Sequence, residues 1–169
     1  MKNLQSETAA GFFEEKSERR ILKKMRISTK GQNAIKIMLD LATYSLGEPV
    51  KLKDIAKRQR ISEKYLEQII ALLHKAGLVK SVRGAHGGYT LFLAPEKYTV
   101  GQILRAAEGN LSPTDCVGEN GTPCENKGTC VSFRLWEKLD TAINDVLESI
   151  TLADMLDWQN ELLADQYVI

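Results

Sequence analysis

The sequence lacks long apolar runs. None of its 169 residues belongs to an apolar stretch of more than a few residues, whereas a transmembrane helix needs about 20. The beginning of the chain also lacks the hydrophobic segment of a secretory signal peptide. We therefore expect no membrane span and a cytoplasmic protein, in a compartment where thiols stay reduced.

Cysteine and histidine are scarce, with three and two residues respectively. The three cysteines, Cys116, Cys124 and Cys130, share one short Gly-rich segment with C-x7-C-x5-C spacing. An odd number of clustered thiols in a reducing compartment favours metal or redox chemistry over a disulfide framework. Three thiolates form a soft ligand set for an iron–sulfur cluster or for zinc.

Two other uses of the cysteines are less favoured. Structural zinc sites commonly contain a closely spaced cysteine pair, and the sequence has none. A catalytic cysteine needs a nearby base, but His74 and His86 both lie well upstream, so we expect no enzyme. Zinc and three reduced, unliganded thiols remain the alternatives to a cluster.

Charge is divided between two parts of the chain, although the formal net charge is +1. Residues 26–93 carry 12 Lys and Arg against 5 Asp and Glu, whereas residues 94–169 carry 5 against 13. A basic part beside an acidic part indicates that one end of the chain binds nucleic acid and the other does not.

The sequence divides into four predicted segments. Residues 1–24 are rich in charge with a weak apolar pattern, so we expect a poorly ordered N-terminal extension. Residues 25–94 are expected to form a DNA-binding domain, and residues 95–130 a linking helix and a cysteine loop. Residues 131–169 are expected to form a dimerisation helix and tail.

The DNA-binding segment begins with three predicted helices. The first covers about 29–45, with an apolar stripe at Ala34, Met38, Leu41, Ala42 and Ser45. A short helix at Leu52–Gln59 leads into a turn, and Ser62 is a favourable N-cap for a third helix that ends before Gly77. The predicted buried stripe of the third helix is Leu66, Ile69, Ile70 and Leu73.

Two strand-like runs follow, at 78–83 and 89–93, and the segment between them has three glycines in five residues. Such a segment predicts a tight turn. A helix–turn–helix followed by a glycine-tipped hairpin is the pattern of a winged helix–turn–helix. The predicted fold class is therefore mainly α with a small β-hairpin wing, followed by a long C-terminal dimerisation helix.

A helix at Val100–Glu108 precedes the cysteines, and a long helix at 131–150 follows them. The long helix repeats apolar residues at steps of three and four, a seam typical of helix pairing. The predicted seam is Trp136, Leu139, Ile143, Val146 and Ile150. We expect a homodimer interface there, because DNA readers of this kind usually bind as twofold dimers. The alternative is that this helix packs on the core of its own domain. A short helix is predicted at 151–158, after the long one.

Candidate DNA contacts fall on the third helix, the turn before it and the wing. Gln68 can pair with adenine, and Glu67 can accept from cytosine while repelling phosphate. An arginine beside flexible glycines suits a narrow minor groove. The full set is Arg60, Lys64, Tyr65, Glu67, Gln68, Arg83 and His86, with Lys57 and Arg58 as further candidate phosphate contacts.

Three motifs resemble the Rrf2 family of bacterial winged-helix transcription regulators, and within it the IscR-like iron–sulfur cluster regulators. They are residues 25–31 (MRISTKG), 62–68 (SEKYLEQ) and 77–84 (GLVKSVRG) with Gly87-Gly88-Tyr89. The resemblance covers residues 25 to about 158. It implies a homodimeric repressor that binds operator DNA, senses cluster status and controls cluster-assembly genes.

The same resemblance implies residue roles. Cys116, Cys124 and Cys130 would be cluster ligands. Glu67 would filter DNA sites according to the cluster state, and Arg83 would enter the minor groove. Cluster-assembly proteins are implied as further partners.

The sequence departs from this family at the fourth ligand. Phe133 stands where IscR-like proteins have a histidine, and Gln32 stands where nitric-oxide-sensing relatives have an acidic ligand. The first cysteine gap is seven residues, where the family often has five. Asp115, Glu119 and Glu125 are nearby oxygen donors, so the fourth ligand stays open. We prefer a [2Fe–2S] cluster, with [4Fe–4S] as the alternative.

Three other functions fit parts of the sequence. The DNA-binding half also resembles the CymR-like regulators of cysteine metabolism, which act through a protein partner and lack these cysteines. A nitric-oxide-sensing [4Fe–4S] regulator would use the same loop. An electron-transfer or cluster-carrier protein would explain the cysteines but not the wing or the charge division.

Overall fold

The computed structural model describes residues 26–45, 47–84, 86–118, 121–122 and 124–166. The helices in these residues are α1 (Thr29–Tyr44), α2 (Leu52–Gln59), α3 (Glu63–Lys75), α4 (Val100–Glu108), α5 (Val131–Ser149) and α6 (Leu152–Gln166). The strands are β1 (Val79–Val82) and β2 (Gly88–Leu91), and a 3-10 turn covers Pro95–Lys97. The predicted mainly helical fold with a small β wing is confirmed. The predicted N-terminal extension lies outside the described residues.

Helices α1, α2 and α3 pack around one apolar core. All four predicted stripe residues of α3 are at most 1% exposed, which confirms that stripe. In α1 the fully buried residues are Ala34, Ile37, Met38 and Leu41. The predicted α1 stripe was wrong in detail, because Ala42 and Ser45 are only half buried and Ile37 was omitted. Positions 34, 37, 38 and 41 follow the i, i+3, i+4, i+7 spacing of one helix face.

Both ends of α3 are capped as the sequence predicts. The Ser62 hydroxyl accepts a hydrogen bond from the Tyr65 N–H at 3.4 Å. At the other end, Gly77 has a φ of +72°, in the left-handed region that glycine adopts readily. The Gly77 N–H donates to the His74 carbonyl and the Leu78 N–H donates to the Leu73 carbonyl, a Schellman ending. These bonds fix the length of α3.

The wing is a two-stranded antiparallel hairpin in which Val79 pairs with Leu91 and Val82 pairs with Gly88. Tyr89 also exchanges two backbone hydrogen bonds, at 2.8 and 2.9 Å, with Val50 in the segment between α1 and α2. A Cβ atom at position 88 would overlap the Val50 carbonyl oxygen. Glycine is therefore required there by the close approach of the two backbones.

The C-terminal part of the chain returns to the same core. Leu152 has no exposed surface, and its N–H donates to the Tyr98 carbonyl at 2.9 Å. The predicted closing helix was too short, because α6 continues to Gln166 and contacts α1 through a Gln159–Thr43 hydrogen bond. None of the described helices combines the length and the hydrophobicity needed to cross a bilayer.

Candidate DNA interface and cysteine loop

The exposed face of α3 is polar. Lys64, Glu67 and Gln68 are exposed, while Tyr65 is half buried at the edge of the core. Positions 64, 67 and 68 share one helix face because they are three and four residues apart. Since the opposite face is buried, this face is the one that α3 can offer to a DNA groove.

Arg60 lies in the turn between α2 and α3. It has a φ of +53°, which is unusual for a residue other than glycine. The Ile61 N–H closes the turn by donating to the Ala56 carbonyl at 3.0 Å. The Arg60 side chain is exposed, next to the first turn of α3.

Arg58, a further predicted phosphate contact, is paired with Asp40 in the structure. Asp40 is only 2% exposed. Its two oxygens accept from Arg58 Nε at 2.9 Å and from Arg58 Nη2 at 2.6 Å. The hydrogen bonds to Asp40 raise the pKa of Arg58 above its ordinary value. A carboxylate in the middle of the apolar stripe of α1 was the sequence signal that could have revealed this pair.

The wing presents two of the predicted contacts. Arg83 and His86 are both exposed, on either side of Ala85, which lies outside the described residues. Gly84 has a φ of +116°, and a Cβ at Gly87 would lie 2.5 Å from the Val82 carbonyl oxygen. The wing and α3 are in contact through β1. The basic wing tip and the polar face of α3 therefore belong to one module.

The cysteine loop, residues 109–130, connects α4 to α5. Cys116 and Cys130 are half buried, whereas Cys124 is exposed. The Cys116 sulfur and the Thr114 hydroxyl share a hydrogen bond at 3.2 Å. Cys130 is the N-cap residue of α5, and its side chain makes no capping bond. The three thiols thus differ in exposure, and one of them stands at the start of a 19-residue helix.

Within the described part of the chain, no three His, Cys, Asp or Glu side chains lie close enough together to hold a metal ion. Of the candidate oxygen donors, Asp115 and Glu125 are exposed, and Glu119 lies outside the described residues. Phe133 is 8% exposed, and the Lys127 ammonium lies 4.8 Å from its ring centroid. Phe133 therefore anchors the loop by burial. Gln32 is exposed, and its amide donates to the Ile27 carbonyl.

Helix α4 joins the cysteine loop to the first helix of the DNA-binding module. Glu108 is its last residue, and its Oε1 accepts from the Ser28 N–H at 3.0 Å, the Ser28 hydroxyl at 2.5 Å and the Gly31 N–H at 3.0 Å. Ser28 is the N-cap residue of α1. The next residue, Gly109, begins the cysteine loop with a φ of +84°. Sequence reasoning missed this contact, because 80 residues separate Ser28 from Glu108.

Helix α5 lies beside α4 and leaves much of its apolar surface uncovered. The Arg105 guanidinium pairs with Glu148, whose carboxylate also accepts from the Thr99 hydroxyl at 2.7 Å. Of the predicted seam, Val146 is 55% exposed and the other four residues are half buried. Val131 and Leu135, outside that seam, are 86% and 52% exposed. The exposed apolar residues of α5 thus include Val131 and Leu135, which precede the predicted seam.

A helix–turn–helix with a polar recognition face, followed by a basic hairpin wing, defines a winged-helix DNA-binding regulator. Residues 27–158 match the Rrf2 family, which is described as an iron-dependent transcriptional regulator. The chain belongs to the Rrf2 family. It is a transcriptional regulator that binds DNA, and it is not an enzyme.

Named relatives agree with this assignment. The transcriptional regulator IscR of Erwinia tasmaniensis is 42% identical over 139 residues, which cover 82% of this chain and 83% of the relative. The solved structure of T. potens IscR is 46% identical, with a TM-score of 0.66, and the match covers 81% of this chain and 90% of that one. CymR, the global cysteine regulator of B. subtilis, is 41% identical with a TM-score of 0.64, over 79% of this chain and 97% of that one.

Proposed function

We propose that this regulator senses iron–sulfur cluster status through its cysteine loop and represses cluster-assembly genes. The observation that carries the proposal is the position of the loop. All three cysteines of the chain lie between α4, whose last residue binds the N-terminus of α1, and α5, on which Val131, Leu135 and Val146 are exposed. A change in the conformation of this loop would move α4 or α5, and would therefore affect both the DNA-binding module and the surface proposed for dimerisation.

The donor chemistry of the loop fits a cluster. Three thiols are available, and two of them are only partly shielded from solvent. The N-terminus of α5, which follows Cys130, carries a partial positive charge and would favour an anionic cluster beside it. When bound, a cluster would supply a redox- and oxygen-sensitive centre that holds the cysteines together.

The proposed ligands are Cys116, Cys124 and Cys130, and the fourth position is open. Phe133 cannot ligate and is committed to packing, while the nearby carboxylates of Asp115 and Glu125 are exposed. We favour [2Fe–2S], with [4Fe–4S] as the alternative that a nitric-oxide sensor would use. An incomplete set of thiolate ligands suits a labile cluster, as a sensor requires.

The proposed DNA contacts divide into base readers and backbone contacts. Gln68 and Glu67, on the exposed face of α3, are assigned to base edges in the major groove. Lys64 shares that face and is assigned to the major groove as well. Arg60 and Tyr65 are assigned to phosphates, and the wing residues Arg83 and His86 to the adjacent minor groove. The strength of binding should therefore depend steeply on salt.

We propose a homodimer through α5. The predicted seam of Trp136, Leu139, Ile143, Val146 and Ile150 would be extended by the exposed Val131 and Leu135. Apolar surface of this extent on a single helix is typical of a protein–protein interface. A twofold dimer would present two copies of α3 to successive turns of DNA in the cytoplasm.

A second candidate function is cluster-independent regulation through a protein partner, as in the CymR-like proteins. One observation favours it, the similarity to CymR. In that case the cysteine loop would be a thiol or zinc site. Normal repression without bound iron, together with a stable complex with an enzyme, would support this candidate.

The cluster is tested by purifying the protein without oxygen, counting iron and sulfide per chain, and recording absorption and Mössbauer spectra. The proposal predicts a coloured protein with equal iron and sulfide, and the spectra then distinguish [2Fe–2S] from [4Fe–4S]. A protein that stays colourless after reconstitution would leave the cluster-independent candidate. Cys124→Ala should abolish the colour and change the affinity for DNA.

The sequence filter is tested separately. Glu67→Ala removes a carboxylate from the exposed face of α3, so binding to mismatched DNA sites should strengthen in a competition assay. Glu63→Ala, a change of the same charge in the first turn of α3, is the matched control. Equal selectivity in the two variants would count against the role of Glu67.

A further inference from the structure

We propose that Asp40 and Arg58 are a positioning pair that sets the orientation of the recognition helix, and that Arg58 does not contact DNA. The proposal rests on the DNA-binding function of the chain. It assigns a functional consequence to a buried ion pair between α1 and the end of α2. It also reverses the interpretation of Arg58 that its position in the sequence suggests.

The geometry of the pair is specific. Both oxygens of the Asp40 carboxylate receive an arginine N–H, and Oδ2 also accepts from Gln59 Nε2 at 2.8 Å. The side chain of Asp40 has no exposed surface, whereas that of Arg58 is 30% exposed. A bidentate arginine–carboxylate pair fixes direction as well as distance.

Tyr44 holds the guanidinium from a second side. The Arg58 Cζ lies 4.1 Å from the centroid of the Tyr44 ring, within the range of a cation–π contact. Asp40 and Tyr44 are four residues apart and therefore share one face of α1. The guanidinium is thus held by two side chains of α1, and moving it to a phosphate would leave the buried carboxylate without its partner.

The pair lies at the point where α2 gives way to the recognition helix. Arg58 and Gln59 are the last two residues of α2, and Arg60 follows in the left-handed conformation. The turn ends at Ser62, the N-cap of α3. Only residues 60–62 separate α2 from α3. The orientation of α3 therefore depends on the orientation of the last turn of α2, which the Asp40–Arg58 pair fixes against α1.

Asp40→Asn distinguishes a positioning role of Arg58 from a phosphate contact, because the two roles predict opposite changes in the affinity for DNA. The substitution releases Arg58 from its charged partner and removes one negative charge. A phosphate-binding Arg58 would then bind DNA as tightly as before or more tightly. If the pair positions α3 and only about a tenth of the molecules keep the competent orientation, the dissociation constant rises about tenfold. Glu48→Gln, which removes the same charge from an exposed residue between α1 and α2, is the matched control.

Two substitutions of Arg58 keep the proposal testable if Asp40→Asn does not fold. Arg58→Lys retains the positive charge but cannot form the bidentate pair, so positioning predicts weakened binding and phosphate contact predicts nearly normal binding. Arg58→Gln removes the charge. Positioning then predicts an unchanged slope of log K against log salt, whereas a lost phosphate contact reduces the slope by about one.

Binding is measured by fluorescence anisotropy on a labelled duplex that the wild-type protein enriches from a randomised pool, with thermal unfolding of each variant as the check on folding. The proposal expects weaker binding by Asp40→Asn than by Glu48→Gln, weaker binding by Arg58→Lys and an unchanged salt slope for Arg58→Gln. Undiminished binding by Arg58→Lys, or a reduced slope for Arg58→Gln, overturns it. If the wild-type protein binds no duplex even at low salt, the DNA-binding function itself fails, and the positioning role fails with it.

Discussion

The contact between Glu108 and the start of α1 predicts that Gly31→Ala destabilises the wild-type protein but stabilises the Glu108→Ala variant. Gly31 lies in the first turn of α1, where a Cβ atom would overlap Glu108 Oε1 and touch Ile27 Cγ2 at 3.0 Å. Gly31→Ala in the wild-type protein must therefore displace the Glu108 carboxylate. That carboxylate accepts three hydrogen bonds from Ser28 and Gly31.

The size of the effect follows from those bonds. Hydrogen bonds to a charged acceptor contribute about 1.5–3 kcal/mol, and an N-terminal cap contributes about 1 kcal/mol. We therefore expect Glu108→Ala to lower the free energy of unfolding by about 2 kcal/mol, or Tm by about 4–8 °C. Gly31→Ala alone should lower the free energy by about 1–2 kcal/mol, a typical cost of overpacking.

In the Glu108→Ala background the main obstruction is gone, and alanine has the higher helix propensity. Gly31→Ala should then stabilise the protein by about 0.5–1 kcal/mol. The assay is urea unfolding of the wild type, both single variants and the double variant, with Glu96→Ala as an exposed glutamate control. Additive effects of the two substitutions would refute the contact and, with it, the proposed link between the cysteine loop and α1.

Three further predictions concern the turn, the wing and the core. Arg60→Gly should be about 1 kcal/mol more stable than Arg60→Ala in urea unfolding, because Arg60 has a positive φ. Both variants should weaken DNA binding equally in fluorescence anisotropy if only the Arg60 side chain contacts phosphate. Gly88→Ala should cost about 1–3 kcal/mol, because its Cβ meets the Val50 carbonyl, whereas Gly128→Ala, which has open space around it, should stay within about 0.5 kcal/mol. Tyr98→Phe should cost about 1–2 kcal/mol, because the hydroxyl donates to the Leu78 carbonyl and accepts from the Leu93 N–H. Burial raises the pKa of Tyr98 above its ordinary value, so Tyr98 loses its proton in the unfolded chain at a lower pH than in the folded protein. The free energy of unfolding should therefore fall as the pH rises through about 10. Tyr98→Phe should lose less stability over this pH range, and an identical pH profile of the two proteins would contradict the prediction.

The DNA-binding module was largely predictable because its signals are local. The stripe from Leu66 to Leu73 repeats at the helical period within eight residues, and Ser62 and Gly77 mark the helix ends within one turn of it. The glycines at 87 and 88 signal a close backbone approach, although the sequence does not say that the partner is Val50. Each of these features needs only neighbouring residues to be recognised.

The partners in the long-range polar contacts were not predictable, because these contacts join residues far apart in the sequence. The Asp40–Arg58 pair spans 18 residues, and the Ser28–Glu108 contact spans 80. The carboxylate of Asp40 within the apolar stripe of α1 indicates that a partner exists. Charged residues at helix ends are usually solvated, however, so nothing local identifies Arg58 as that partner or shows that Glu108 is hydrogen-bonded. The periodicity of α5 likewise shows which of its residues are apolar but not which of them α4 covers.

The central claim is that the state of the cysteine loop controls DNA binding. The most direct test measures the affinity of one protein preparation for one labelled duplex, first with its cluster and then after anaerobic removal of the iron, with Cys124→Ala treated in the same way. The account predicts that removing the iron changes the affinity of the wild-type protein several-fold and leaves that of Cys124→Ala unaltered. Equal affinities of the iron-loaded and iron-free wild-type protein, at every salt concentration and on every duplex it enriches, would contradict the account.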